Sequence, residues 1–270
     1  PTPFSRRVAR NTQFVLMEES RLDHVADPAG GAWFVEKLTR ELAELAWAKM
    51  HEIEAQGGIV AALQSGALQR AVAEARATRQ AAFARRKETI TGVTDFPLLG
   101  QEPPHVSDRR RIAGGDSGGP HLAPIRWAEA FETLRERGEL AGGKVFFANL
   151  GTLAAFSPRA QFARNLFAAG GIASIGEEEH YASREAMIDA LQKSGAHVAV
   201  ICGADAAYAE EAENAAQRLK VARCDWVILA GKPGEREEKL RAAGVDQFMF
   251  AGQDTLKELA TLHAALGIAP

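Results

Sequence analysis

From Lys144 to the C-terminus, short apolar runs alternate with amphipathic stretches, and this alternation limits the fold more than any other feature of the chain. Residues 144–149, 172–175, 197–201, 226–230 and 247–250 read as strands. Between and after them, 158–169, 184–193, 206–218, 235–243 and 255–266 read as helices. Strands that each return through a helix form a parallel sheet, because a parallel crossover needs such a connection and runs right-handed. Both faces of the sheet are then covered, which is why the runs are apolar throughout instead of alternating. The expected fold is α/β, a flavodoxin-like five-stranded parallel sheet domain.

The part before this sheet is different. Phe14-Val15-Leu16-Met17 runs into the acidic pair Glu18-Glu19, and Asp27-Pro28-Ala29-Gly30-Gly31 reads as a turn. A long helix over 33–55 follows, with Phe34, Leu38, Leu42, Leu45 and Ile53 spaced mostly three and four apart, and Gly57-Gly58 stops it. A second helix, 67–87, is rich in Ala and Arg; 90–93 reads as a short strand. Residues 98–124 have the Pro, Gly, Arg and Ser content of a linker. Trp127, Phe131 and Leu134 then mark a helix that caps the next domain.

With 270 residues, 46% of them hydrophobic and 25% charged, the chain has the composition of a soluble globular protein, which excludes collagen, disorder and a disulfide scaffold. The formal net charge of −3 and the lack of any long basic block argue against a nucleic-acid partner. Cys202 and Cys224 have no metal-ligand spacing and read as small buried hydrophobes of a reducing, cytoplasmic compartment. No apolar run reaches the length of a membrane helix, and no signal-peptide layout is present. The opening Pro1-Thr2-Pro3-Phe4, without methionine, reads as though cut from something longer.

Gly115-Asp116-Ser117-Gly118-Gly119-Pro120 matches the nucleophile segment of chymotrypsin-like proteases, but a nucleophilic serine needs a histidine base and an acidic orienter. His24, His51 and His105 precede it without the setting that family uses, so a linker reading is preferred. In an open parallel sheet the ligand crevice lies beyond the carboxyl ends of the strands. The candidate loops are 150–158 and 202–205. The first is long but holds no histidine, carboxylate or basic residue; Ser157 reads as a helix N-cap with Pro158 at the first helical position. Asp205 reads as an N-cap, and His180 and His263 as surface residues.

Two separate segments carry a family resemblance. Arg7-Val8-Ala9-Arg10-Asn11-Thr12-Gln13, Glu18-Glu19 and 27–36 resemble the end of the catalytic barrel of the adenosylcobalamin-dependent methylmalonyl-CoA mutases. Phe147-Ala148-Asn149-Leu150-Gly151 through Phe167-Ala168-Ala169-Gly170-Gly171-Ile172 resemble the start of their cobalamin-type domain. The resemblance implies residues 1–97 as the C-terminal part of a TIM barrel with trailing helices, 98–124 as linker, and 125–270 as a flavodoxin-like domain. A whole barrel takes about 250 residues, so at most its last units are expected. In active members an Asp-x-His-x-x-Gly loop follows the first strand, its histidine on cobalt and its aspartate behind the ring. Anchored on Gly151, those positions here are Leu153, Ala155 and Pro158, which supply no ligand. Cys202-Gly203-Ala204 likewise departs from the Ser-x-Leu of cobalamin binders.

The resemblance therefore points to the small, non-catalytic subunit of the heterodimeric bacterial enzyme, which interconverts methylmalonyl-CoA and succinyl-CoA. It implies a large catalytic subunit as partner and adenosylcobalamin bound by that partner. The acyl-CoA substrate would also be met through the partner, with no catalytic or metal residue in this chain. The alternative is a mutase domain that binds the corrin without the usual histidine.

Overall fold

The computed structural model describes residues 2–101, 122 and 125–269. Contacts divide the chain into two units, Pro1–Ala75 with Glu102–Pro124, and Arg76–Gln101 with Ile125–Pro270. The Gly115–Pro120 motif, His105 and most of the expected linker, with the short basic run Arg109-Arg110-Arg111 in it, lie outside the described residues.

The described residues of the first unit are helical, with no strand among them. Helix α1, Pro3–Phe14, starts with Pro3 in its first turn and Thr2 as N-cap, the Thr2 hydroxyl accepting from the Ser5 amide at 3.1 Å. A wider π turn, Val15–Glu19, continues it. Helix α2, Trp33–Ala55, forms over the expected residues, and Gly57, at φ +95°, sets off helix α3, Gly58–Gln64. Among residues 2–75 only Ala62 and Gly66 are buried, while Phe34, Leu38, Leu42 and Leu45 are exposed. Helix α4 spans Ala67–Ala84, and its last residues Phe83 and Ala84 are buried in the second unit.

The second unit is a doubly wound α/β domain. Strands β1 (Lys144–Asn149), β2 (Ala173–Ile175), β3 (Val198–Cys202), β4 (Trp226–Ala230) and β5 (Gln247–Met249) form one sheet in the order β2-β1-β3-β4-β5, every pair parallel. This is the flavodoxin strand order. Helix α5 (Glu129–Ala141) precedes the sheet. The crossovers are α6 (Leu153–Ala169), α7 (Arg184–Ser194), α8 (Asp205–Val221) and α9 (Glu237–Ala242), and α10 (Thr255–Ala265) closes the chain.

Strand side chains alternate between two cores. Phe146, Ala148, Ala199, Ile201, Val227 and Leu229 meet Met187, Leu191, Ala212, Leu219 and Leu240 on the face of α7, α8 and α9. Val145, Phe147, Val198, Val200 and Ile228 meet Phe131, Phe156, Leu166, Phe167 and Leu259 on the face of α5, α6 and α10. Each fully buried Phe or Leu stabilises the fold by roughly 1.5–3 kcal/mol relative to exposure. Two sandwiched layers, not one, explain the uniformly apolar strands.

Three sequence expectations are corrected. Residues 90–93 are not a strand: Gly92 sits at φ +81°, its amide donates to Asp95 at 2.7 Å, and the segment closes as a turn with one bridge between Thr91 and Asp95. Its apolar residues Ile90 and Val93 instead cover the α5–α6–α10 core. Second, α6 begins at Leu153, not Pro158, with Thr152 as N-cap. Placing Phe156 fully inside the core demands the extra turn, and Pro158 is carried within the helix on its exposed side. Third, His263 is not a surface residue. It is buried, its Nε2 lying 2.8 Å from the carbonyl oxygen of Gly170.

Candidate functional site

The order β2-β1-β3 reverses direction at β1, so the crevice beyond the carboxyl ends of β1 and β3 is where a doubly wound sheet takes a ligand. Three segments border it: Leu150–Thr152, Gly203-Ala204 and the 176–183 loop after β2. Because α6 starts at Leu153, the β1–α6 connection is short, and the long cofactor-type loop expected over 150–158 does not exist. Leu153 is an exposed first residue of the helix, Ala155 lies within its first turn, and Pro158 lies beyond it. Ser157 is not an N-cap: its hydroxyl donates back to the Leu153 carbonyl at 2.6 Å.

The last residue of β1, Asn149, is buried and holds the neighbouring loop in place. Its Nδ2 donates to the carbonyls of Gly176 and Glu179, both at 2.9 Å, and lies 3.3 Å from that of Glu177. That loop brings His180 to the crevice edge, exposed, with Nδ1 2.9 Å from the Gly151 carbonyl. No histidine was expected near Gly151, and only the pairing of β1 with β2 brings this one there.

The β3 side is occupied by a cluster that sequence reasoning missed. Arg159 of α6 reaches over the strand ends, donates to the Gly203 carbonyl at 2.5 Å and pairs with Asp205. Its guanidinium carbon lies 4.5 Å from the centroid of the Tyr208 ring. The Tyr208 hydroxyl, buried, is 2.9 Å from both the Ile201 and Ala230 carbonyls, spanning β3 and β4. Asp205 is thus the first helical residue of α8, with Ala204 at the cap, and its carboxylate serves Arg159 in place of capping the helix. A legible signal existed: glycines stand immediately after β3 and β4, at Gly203 and Gly231, and both face Tyr208. A Cβ on Gly203 would come 3.0 Å from Leu150 Cβ and 3.2 Å from the ring; one on Gly231 would come 3.3 Å from the ring. The glycines are the small residues that let the aromatic ring lie across the strand ends.

Burial sets the titration of the site. The Cys202 thiol, free and fully buried beneath Arg159, is pushed well up by desolvation, and so is the Tyr208 phenol. Cys224, also free and buried, is pushed up to about 11 by the same cause. Both cysteines therefore behave as the small apolar side chains expected from the sequence. Among the described residues no group of three or more His, Cys, Asp or Glu side chains is placed to hold a metal ion, and no helix is long and apolar enough to cross a membrane.

Sheet order, double winding and a crevice at the β1/β3 switch place the second unit among the flavodoxin-like α/β domains. The profile of the methylmalonyl-CoA mutase family matches residues 1–112. Along the whole chain there is 43% identity to a protein named methylmalonyl-CoA mutase small subunit from Streptomyces virginiae, covering 42% of that protein. The small subunit from Propionibacterium freudenreichii subsp. shermanii is 34% identical over 98% of this chain and 41% of its own length. A methylmalonyl-CoA mutase from Cereibacter sphaeroides is 42% identical over 47% of this chain and 18% of its own. The chain is thus similar over its whole length to methylmalonyl-CoA mutase small subunits, and it spans about two-fifths of the length of those it matches.

Proposed function

We propose that this chain acts as part of the small, non-catalytic subunit of a heterodimeric methylmalonyl-CoA mutase, and stabilises a large subunit that carries adenosylcobalamin and meets the acyl-CoA. On this reading residues 1–97 are the end of the barrel domain, 98–124 the linker and 125–270 a degenerate cobalamin-type domain in a cytoplasmic enzyme. The observation that carries it is the crevice at β1 and β3, where the chain's own side chains crowd the strand ends and no ligand for cobalt follows β1. Leu150 is fully buried, a Cβ on Gly203 would crowd Leu150 at 3.0 Å, and Arg159 lies across Tyr208 at the end of β3.

The donor set agrees. Leu153, Ala155 and Pro158 offer no atom to cobalt, and the helix that contains them replaces the loop a lower ligand needs. A corrin therefore does not fit this site, and no step of an isomerisation is assigned to this chain. The relatives named small subunit support the partnership, since a small subunit implies a larger one.

Co-expression with a large mutase subunit tests the proposal. The expected result is a stable complex in which hydroxocobalamin absorbance follows the large subunit and is absent from this chain alone after gel filtration. A chain that ignores the large subunit, or that retains the corrin by itself, overturns it; the second outcome would establish histidine-independent corrin binding.

A further inference from the structure

A cavity of about 350 Å³ opens on the second unit between the turn that follows α4 and the loop that leaves β5. Its size is that of a small-ligand site. Arg85, Arg86 and Lys87 line it, and Asp95 is the acidic group on its wall. Asp95 is engaged by Arg86. Arg85 and Lys87 have no ion-pair partner among the described residues. Three cations and one carboxylate leave the lining two positive charges in excess. The opposite wall is apolar, from Phe162 and Leu166 of α6 and Phe250 beyond β5.

Two further observations single out Arg86. Its Nε is buried and has no hydrogen-bond partner, a costly condition for a guanidinium donor. Its backbone lies in the left-handed region at φ +54°, at the end of α4 where a glycine would be free of strain. An arginine kept in that conformation holds its guanidinium on the cavity wall beside two unpaired cations. An excess of two positive charges matches a dianion better than a single carboxylate, and a phosphate monoester carries close to that charge near neutral pH. Arginine and lysine together are the usual recognition set for it.

We propose that this cavity binds a small phosphate monoester, its phosphate held by Arg85, Lys87 and the Arg86 guanidinium and its apolar body laid against Phe162, Leu166 and Phe250. The site is separate from the β1/β3 crevice and does not depend on the mutase reading.

The probe is 1-naphthyl phosphate, followed by amide chemical shifts of the full 270-residue chain, with 1-naphthol and inorganic phosphate as comparisons. Saturable shifts centred on Thr89, Ala251 and Gly252 are expected, with naphthyl phosphate the tightest of the three and weakened by added salt. Arg85→Ala with Lys87→Ala, both at exposed side chains, is expected to weaken it by about tenfold or more. Arg86→Lys keeps a charge for Asp95 but removes the planar guanidinium, and is expected to lower affinity on its own. Absence of saturable shifts at those amides overturns the proposal. So does equal binding by naphthol, or by the double variant with its native circular dichroism intact. Should the double variant not fold, a salt-independent affinity in the unaltered chain overturns it equally.

Discussion

Arg159 and Tyr208 lock two crossover helices together over the ends of the sheet, the guanidinium carbon of one standing 4.5 Å from the ring centroid of the other. The arginine comes from α6 and the tyrosine from α8, on opposite faces of the sheet. Their contact therefore crosses the sheet over the ends of β3 and β4. The phenol then ties the Ile201 carbonyl of β3 to the Ala230 carbonyl of β4.

Tyr208→Phe is expected to cost about 1–2 kcal/mol, because two buried carbonyls lose a shared donor while the ring stays. Tyr208→Ala adds a cavity and is expected to cost about 3–5 kcal/mol. A double-mutant cycle of Arg159→Ala with Tyr208→Leu in urea unfolding is expected to return a coupling of about 0.5–2 kcal/mol. Additive losses would show that the stacked pair is geometric only.

Helix α5 approaches the turn after α6 closely enough to leave no room for a methyl group. A Cβ on Gly138 would fall 2.3 Å from the Gly170 carbonyl oxygen, and one on Gly171, already at φ +75°, 2.1 Å from that of Arg135. Backbone cannot yield as a side chain does, so Gly138→Ala is expected to destabilise by about 3 kcal/mol or more. Gly142→Ala tests left-handed backbone alone, since nothing lies near its Cβ position, and is expected to cost about 1 kcal/mol. Thermal unfolding of both variants makes the comparison; equal losses would contradict the close-approach argument.

His263 holds the same turn from α10. Replacing it with alanine removes the partner of the Gly170 carbonyl and opens buried space, with an expected loss of about 2–4 kcal/mol. His263→Gln keeps a donor and is expected to recover part of it. A denaturation midpoint unchanged in His263→Ala would refute the assigned contact.

The fold is expected to lose stability on the alkaline side. Burial raises Cys224 from 9.0 to about 11 and Tyr181 from 10.0 to about 12, and raises Cys202 and Tyr208 further. An acid whose folded pKa is raised favours folding fully below its unfolded pKa. That contribution falls as pH rises past the unfolded value and is lost through the folded one. Urea midpoints are therefore expected to be flat from pH 7 to about 8.5 and to decline above about 9. Cys224→Ala should soften the onset of the decline; an unchanged onset would assign it to the other groups. The same burial predicts that neither thiol reacts with iodoacetamide in the native state at neutral pH.

Much of the second unit was legible. Strands β1 and β4 and the start of α7 fall on the expected residues because a run buried on both faces must be apolar along its whole length. Helix α2 was equally plain from its three- and four-residue spacing. Residues 90–93 misled because a short apolar run does not say whether its partner is a strand or a core, and Gly92 decided for a turn. The start of α6 misled because proline favours a first turn, and the burial of Phe156 outweighed that preference. His263 was misplaced because its neighbours in sequence do not report what α10 packs on.

The sequence by itself determined the parallel doubly wound sheet and the apolar side chains Leu153, Ala155 and Pro158 that follow β1, since period and residue chemistry are local properties. Only the tertiary structure decided what fills the crevice. Arg159, Asp205 and Tyr208 come from two helices, and His180 from a loop after another strand; pairing and crossover, not spacing along the chain, bring them to Gly151 and Gly203. Side-chain contacts across a sheet end depend on strand order and on the room left by glycines. Both are fixed only when the cores on the two faces close.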